Sequence, residues 1–265
     1  MIPPNSIHHG DCLEVMKDIP DKSIDMILCD LPYGTTACKW DTIIPFEPLW
    51  EQYKRIIKER GAIVLTASQP FTSMLGASNL PMLKYSWVWD KYHGTGHLNA
   101  KKQPLKGFED ILVFYTNPPT YNPQGIIYNP KLMKNSHSDC ERTKKTASSV
   151  VTSGIKNTPY IQEYENYPKG IISIKSENGN KLHPTMKPVA LFEYLIKTYT
   201  NEGDIVLDNC AGSGTTGVAC INTNRKYILI EKEEKYIDII KSRIQQVTVP
   251  LSQFMQERPL SEGIQ

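Results

Sequence analysis

The chain has 265 residues, 40% of them hydrophobic, and carries 30 Lys and Arg against 28 Asp and Glu for a formal net charge of +2. That is enough chain to bury a substantial core and lies near the upper range for one α/β domain, so one domain carrying insertions is expected. A total charge so near balance identifies no polyanionic partner, and only basic residues concentrated on one face would do so. The six cysteines, Cys12, Cys29, Cys38, Cys140, Cys210 and Cys220, include no C-x-x-C pair, and several sit in apolar runs. They read as small hydrophobes of a reduced, cytoplasmic protein. His93 and His97 have H-x-x-x-H spacing, but the intervening glycines make poor helix, and no metal site is expected. The amino terminus lacks a basic region followed by an apolar core, and no stretch approaches membrane-spanning length, which argues against secretion and membrane insertion.

In chain order, a short strand around Ile7 leads through Gly10-Asp11 into a helix carrying Leu13, Met16 and Ile19, with Asp11 as its cap. The apolar run Ile24 to Cys29 reads as a buried strand, stopped by Asp30-Leu31-Pro32-Tyr33-Gly34. That turn brings a carboxylate, carbonyls and an aromatic ring to a strand's carboxyl end, the edge where open α/β sheets bind ligands. After a polar loop from Thr35 to Asp41, the spacing predicts a helix from Phe46 to Lys58 with Gly61 as its C-cap. A strand from Ala62 to Ala67, a helix from Phe71 to Ala77, and strands from Tyr85 to Trp89 and Asp110 to Tyr115 extend the alternation of a mostly parallel sheet with helical crossovers.

Between the last two strands, Lys91, His93, Lys101, Lys102 and Lys106 fall in a Gly-containing aromatic segment with no acidic residue from Lys91 through Lys106. Such a loop suits a phosphate backbone, although a solvated lysine loop has the same composition. From Asn117 to Lys181 periodicity breaks down. Lys131, Lys134, Arg142, Lys144, Lys145 and Lys156 interleave there with Tyr121, Tyr128, Tyr160, Tyr164 and Tyr167. A stretch this long reads as a functional insertion, and its composition suits nucleic-acid bases and phosphates. Order returns with His183-Pro184-Thr185-Met186-Lys187-Pro188, a helix using Leu191, Tyr194, Leu195 and Ile196, and a strand from Ile205 to Asp208. A helix through Cys220-Ile221, a strand from Tyr227 to Ile230 ending at Glu231, and a helix from Tyr236 to Ile244 follow.

Gly212-x-Gly214-x-x-Gly217 between strand and helix matches the dinucleotide fingerprint, so a nicotinamide-dependent oxidoreductase must be considered. Against it, a dinucleotide fold needs two mononucleotide-binding halves, and about one strand and two helices follow. Val218 in the Walker lysine position argues against a P-loop. Asp208, just before the loop, would repel a phosphate yet tolerate a cofactor bearing an ammonium and a sulfonium. Glu231 could accept hydrogen bonds from both hydroxyls of a ribose. The pair suggests S-adenosylmethionine.

With Asp30-Leu31-Pro32-Tyr33 and the Asp208 to Gly214 loop both in place, the chain resembles the amino-methylating DNA methyltransferases, which act on adenine N6 or cytosine N4. The order, catalytic motif first and cofactor motif last, is that of their permuted β-type group. Gly10-Asp11-Cys12, Trp87-Val88-Trp89-Asp90-Lys91 and the His183 to Pro188 segment fit as well, so the resemblance spans nearly the whole chain. It implies a Rossmann-like, circularly permuted S-adenosylmethionine-dependent fold with helices on both faces of the sheet. The halves would be residues 1–116 for catalysis and 182–249 for the cofactor, with an irregular target-recognition insertion at 117–181 and a tail at 250–265.

The resemblance further implies Asp30, Leu31, Pro32 and Tyr33 as catalytic, and Asp11, Lys187, Asp208, Ala211, Gly212, Gly214 and Glu231 as cofactor-binding, with Lys187 meeting the cofactor's carboxylate. Double-stranded DNA is the implied substrate, held by Lys91, His93, Lys101, Lys102 and Lys106, and a homodimer is common in this group. An initial Asp favours adenine N6 over cytosine N4. Leu31 departs from the usual proline and removes a φ constraint from the turn. The readings that remain beside it are an RNA or protein methyltransferase and a DNA-binding module without catalysis.

Overall fold

The computed structural model describes residues 2–36, 38, 41–128, 164–176 and 186–248. His183, Pro184, Thr185, the tail from 249 onward and the basic residues from Lys131 to Lys156 lie outside them, as does Tyr160. The described strands are β1 (Ser6–His9), β2 (Ile24–Cys29), β3 (Ile57–Ala67), β4 (Leu83–Thr95), β5 (Lys106–Phe114), β6 (Ile127–Tyr128), β7 (Tyr164–Glu165), β8 (Ile171–Ser173), β9 (Ile205–Asp208) and β10 (Lys226–Glu231). The helices are α1 (Cys12–Val15), α2 (Phe46–Ile56), α3 (Phe71–Ser78), α4 (Val189–Tyr199), α5 (Thr215–Asn222) and α6 (Glu234–Thr248).

Eight strands form one sheet in the order β1-β10-β9-β2-β3-β5-β4-β8. Every neighbouring pair is parallel except β3 with β5 and β5 with β4, so β5 alone runs against the rest. This corrects the expectation for Asp110 to Tyr115 in two respects: the strand is there, but it runs against its neighbours and it starts earlier, at Lys106. Strands β2 and β9 are neighbours, pairing Met26 with Val206 and Ile27 with Leu207. Residues some 180 positions apart in sequence are thereby placed side by side, as Asp25 and Ile205 are by a backbone-to-carboxylate bond of 2.9 Å.

Both faces of the sheet are buried, which is why its central strands read as continuous apolar runs rather than alternating ones. On β2, Ile27 and Cys29 join a core built with α1, α2 and α3, while Met26 and Leu28 join one built with α4, α5 and α6. Leu49, Trp50, Tyr53 and Ile56 form the buried stripe of α2 at helical spacing. Gly61 does not cap that helix. Strand β3 begins at Ile57, and Gly61 lies inside it, where a Cβ would stand 2.8 Å from the Asp25 carbonyl oxygen. The glycine permits a close approach of two strands.

Residues Pro123–Lys169 form a separate compact unit whose described part contains the antiparallel β6–β7 pair. No helix among the described residues is long and apolar enough to cross a membrane.

Candidate active site

Strand β2 delivers Asp30 to the carboxyl edge of the sheet, and three side chains converge on its carboxylate. The Tyr33 hydroxyl donates to Oδ1 at 2.8 Å, the Thr66 hydroxyl donates to the same atom, and Lys187 Nζ lies 2.7 Å from both oxygens. Burial alone would lower the Lys187 pKa, but Asp30 and Glu109 outweigh it and hold the ammonium charged. Burial, reinforced by the Asp30 charge, pushes the Tyr33 hydroxyl well above its ordinary value, so it remains a donor. The Tyr33 ring is backed by Phe71, with centroids 5.1 Å apart and planes at 23°. Leu31 is buried in the core beneath. The turn is therefore held by its side chains, without the first proline. Beyond it, Asp41 accepts from the backbone N–H groups of Gly34, Thr35 and Thr36 at 2.8, 2.9 and 2.7 Å. Burial raises the Asp41 carboxyl, but the Thr36 hydroxyl and these amides outweigh it and hold it below its ordinary value.

The neighbouring strand β9 ends at Asp208, which turns inward. Its Oδ2 accepts from the Thr216 hydroxyl and its Oδ1 from the Cys210 amide at 3.0 Å, so the carboxylate ties the loop to the start of α5. Burial pushes its pKa up to about 7, against the hydrogen bonds from Thr216 and Cys210. Gly212 and Gly214 have φ of +53° and +80°, left-handed values that glycine adopts without steric penalty. At Gly217 a Cβ would stand 2.8 Å from Leu229 Cδ1, so the third glycine serves helix-on-strand packing. Glu231, at the end of β10, accepts from the Gly212 amide at 2.7 Å and from the Glu233 amide at 2.8 Å, one on each oxygen. Each oxygen keeps a further lone pair.

One cavity of 560 Å³ joins these two strand ends. It is lined by Asp11, Asp30, Leu31, Pro32, Tyr33, Lys91, Lys106, Lys187, Asp208, Ala211, Gly212 and Glu231, all read from the sequence as site residues. Gly214 lies just behind, as the N-cap of α5. Asp11 caps α1 through the Leu13 amide at 3.0 Å and stands 3.3 Å from Lys232 Nζ. The cations differ most from expectation. Lys187 is engaged by Asp30 and Glu109 rather than directed at a cofactor carboxylate, and Lys91 is paired with Glu109 and lies 5.1 Å over the Trp89 ring. His93, Lys101 and Lys102 are exposed and outside the cavity. Their segment is less of a loop than expected: β4 runs on to Thr95, which pairs with Lys106 of β5.

Four contributors escaped the sequence reading: Thr66, Glu109, and the buried pair Tyr53 and Asn209, joined at 2.6 Å beneath the cofactor loop. Glu109 carried no local signal of its own, lying beside Asp110 in the polar first half of β5. Because β5 is reversed, its first residues sit at the edge where the parallel strands end. The described cysteines are free thiols, and Cys12 and Cys210 line the cavity floor.

The acids presented by β10 and the cap of α1, Glu231 and Asp11, fit a cationic cofactor and disfavour a diphosphate, while Glu231 retains acceptors for a sugar diol. A reversed strand in an otherwise parallel sheet, a glycine loop after β9 and an acid-aromatic turn after β2 define the Rossmann-like class of S-adenosylmethionine-dependent methyltransferases. Within that class, the DNA methylase family that methylates N6 or N4 amino groups matches residues 24–242, and the chain belongs to this family. It is 31% identical to the DNA adenine methyltransferase YhdJ of Escherichia coli (strain K12) over 253 residues, 88% of this chain and 80% of that protein. It is 28% identical to the type II methyltransferase M.HinfI of Haemophilus influenzae over 275 residues, 92% of this chain and 69% of that one. Among solved structures, the M1.HpyAVI–SAM complex superposes with a TM-score of 0.61 at 25% identity, covering 90% of this chain and 98% of that one. The cytosine-N4-specific PvuII DNA methyltransferase, at 16% identity and a TM-score of 0.65 over 97% of this chain and 92% of its own, shares the fold.

Proposed function

We propose that the chain is a site-specific methyltransferase of double-stranded DNA, acting on the exocyclic N6 of adenine. The observation that carries this reading is one cavity lined both by Asp30, after β2, and by Asp208, Gly212 and Glu231 from the ends of β9 and β10 and the loop after β9. The initial Asp of the catalytic turn and the adenine-specific name of the YhdJ relative both favour N6 over cytosine N4.

The amine of an adenine is a poor nucleophile because its lone pair is delocalised into the ring, and in a duplex it is also stacked and paired. The base has to leave the helix to be reached. Asp30 and the main-chain carbonyl of Leu31 or Pro32 accept hydrogen bonds from the amino group, drawing electron density back onto nitrogen and fixing its direction. Tyr33, its ring backed by Phe71, provides the surface on which the extruded base stacks. S-adenosylmethionine supplies the methyl group. Glu231 holds its ribose, Asp11 its adenine amino group, and Asp208 with Ala211, Gly212 and Gly214 shapes the loop against its amino-acid end. Catalysis is by positioning and electrostatics, with no covalent intermediate on the protein.

We assign residues 1–116 to the catalytic half, 182–249 to the cofactor half, and the 117–181 insertion to target recognition. His93, Lys101, Lys102 and Lys106 are assigned to the phosphates. The test is Asp30→Ala. Methyl incorporation into duplex DNA should vanish while calorimetric S-adenosylmethionine affinity stays close to the parent's; loss of both would place Asp30 in the cofactor pocket instead. Sequencing methylated DNA from expressing cells identifies the base and the recognition site in one experiment.

A further inference from the structure

The Asp30 carboxylate is crowded. Oδ1 accepts from Tyr33, Thr66 and Lys187, and Oδ2 accepts from Lys187. Oδ2 therefore keeps one lone pair, and Lys187, which spans both oxygens, is the donor with which a base amino group docking there competes. Only Lys187 has a second carboxylate at hand: its Nζ lies 3.2 Å from Glu109 Oε2. That oxygen is buried and, beyond its ion pair with Lys187, is met by no hydrogen-bond donor among the described residues. The other Glu109 oxygen is anchored by Lys91. Lys91, Glu109, Lys187 and Asp30 thus form a row of alternating charges that sums to zero, with one unused acceptor in its middle. The Lys187 side chain is 6% exposed, so its ammonium has no alternative partner in bulk water.

We propose that Glu109 is a positioning residue for methyl transfer: it is the acceptor onto which Lys187 moves when the target amino group docks on Asp30. The proposal rests on the assignment of Asp30 to that amino group. The movement is a change of hydrogen-bond partner by an ammonium that stays charged, so no proton is transferred. The row remains neutral throughout, which keeps the step inexpensive in a buried site. Without Glu109, Lys187 stays clamped across both oxygens of Asp30 and competes with the target amine for Oδ2.

The test is Glu109→Gln in the full-length protein, beside Asp30→Ala and Lys187→Met, on a duplex whose methylated adenine has been located by sequencing. For Glu109→Gln, kcat should fall on the order of a hundredfold, as when a reacting group loses its alignment. KM and the calorimetric S-adenosylmethionine Kd should stay within about twofold, a loss confined to the step after binding. The variant should also lose preference for a duplex with adenine, rather than unsubstituted purine, at the methylated position, since purine has no amino group to compete with Lys187. In the Lys187→Met background, adding Glu109→Gln should change kcat by less than about twofold, because the residue acts through that lysine.

A Glu109→Gln enzyme with parental kcat and parental adenine preference, beside an inactive Asp30→Ala, would overturn the proposal and leave the assignment of Asp30 intact. Equal weakening of cofactor and DNA binding would reduce Glu109 to a structural charge and also overturn it. A fully active Asp30→Ala would remove both proposal and assignment.

Discussion

Asp30 and Asp208 stand at the carboxyl ends of two neighbouring parallel strands, yet the fold puts them to opposite use. Asp30 is the outward acid: it lines the cavity and is held by an ammonium, a phenol and a threonine hydroxyl. Asp208 is the inward acid, 3% exposed, with its oxygens turned to Thr216 and the Cys210 amide. A cation compensates the first, whereas the second has only dipoles and pays for burial with a pKa near 7. Strand position alone does not decide how an acid is used; what faces it does.

Removing the charge of the outward acid should produce the largest effect. Asp30→Asn keeps the shape and one acceptor but leaves Lys187 facing an amide, so kcat should drop on the order of a thousandfold, as for loss of a group aimed at the reacting centre. Stopped-assay methyl incorporation measures it, with calorimetry confirming that S-adenosylmethionine still binds. The same change at the inward acid should act mainly on stability. The Asp208 pKa is raised from 3.8 to about 7, so between those values the folded state keeps a proton that the unfolded state has released. Its contribution to stability is therefore full below about pH 4 and is lost as pH rises through about 7, on the order of 4 kcal/mol over the window. Asp208→Asn lacks this component, so urea unfolding across pH 4 to 8 should show the variant gaining on the parent as pH rises. A constant difference would show that Asp208 ionises at ordinary pH.

A third substitution sharpens the contrast from the cofactor side. Glu231 is buried like Asp208 but keeps free lone pairs toward the cavity like Asp30. Glu231→Ala should weaken S-adenosylmethionine binding by roughly tenfold to a hundredfold, the cost of losing charge-assisted hydrogen bonds. The effect on kcat at saturating cofactor should be small, and an unchanged Kd by calorimetry would remove the ribose assignment.

These three acids were legible because each follows an apolar run in the chain, a local pattern that survives without knowledge of the fold. Glu109 was not, because its place depends on β5 running backwards, and residue periodicity carries no strand direction. Lys187 was recognised as a site residue but aimed differently, since its partners come from residues 109 and 30, far from it in sequence. The same limit explains the basic segment. Tyr92 has φ of +63° and the β4–β5 register shifts between Asp90 and Thr95, so the strand continues through a break in which side-chain alternation is lost. Gly61 misled for a related reason: a glycine after a helical stripe resembles a C-cap, whereas here it answers a close approach to a neighbouring strand.

That basic segment also separates the lysines into two kinds, and the distinction yields the smallest expected effect. Lys91 and Lys187 are largely buried and committed to carboxylates, so their charge is already balanced within the protein. Lys101 and Lys102 are exposed, in a turn after the His97–Asn99 helical turn, in a stretch with no acid from Lys91 to Lys106. Only charges of the second kind can release counterions from a DNA backbone. Neutralising both, as Lys101→Gln with Lys102→Gln, should flatten the slope of log K against log salt by about 2, close to 0.9 for each phosphate that a lysine no longer neutralises. Methylation at saturating DNA should be nearly unchanged, since neither residue reaches the cavity. Fluorescence titrations at several salt concentrations measure the slope. If it is unchanged, the segment is a solvated strand end and the phosphates are held elsewhere.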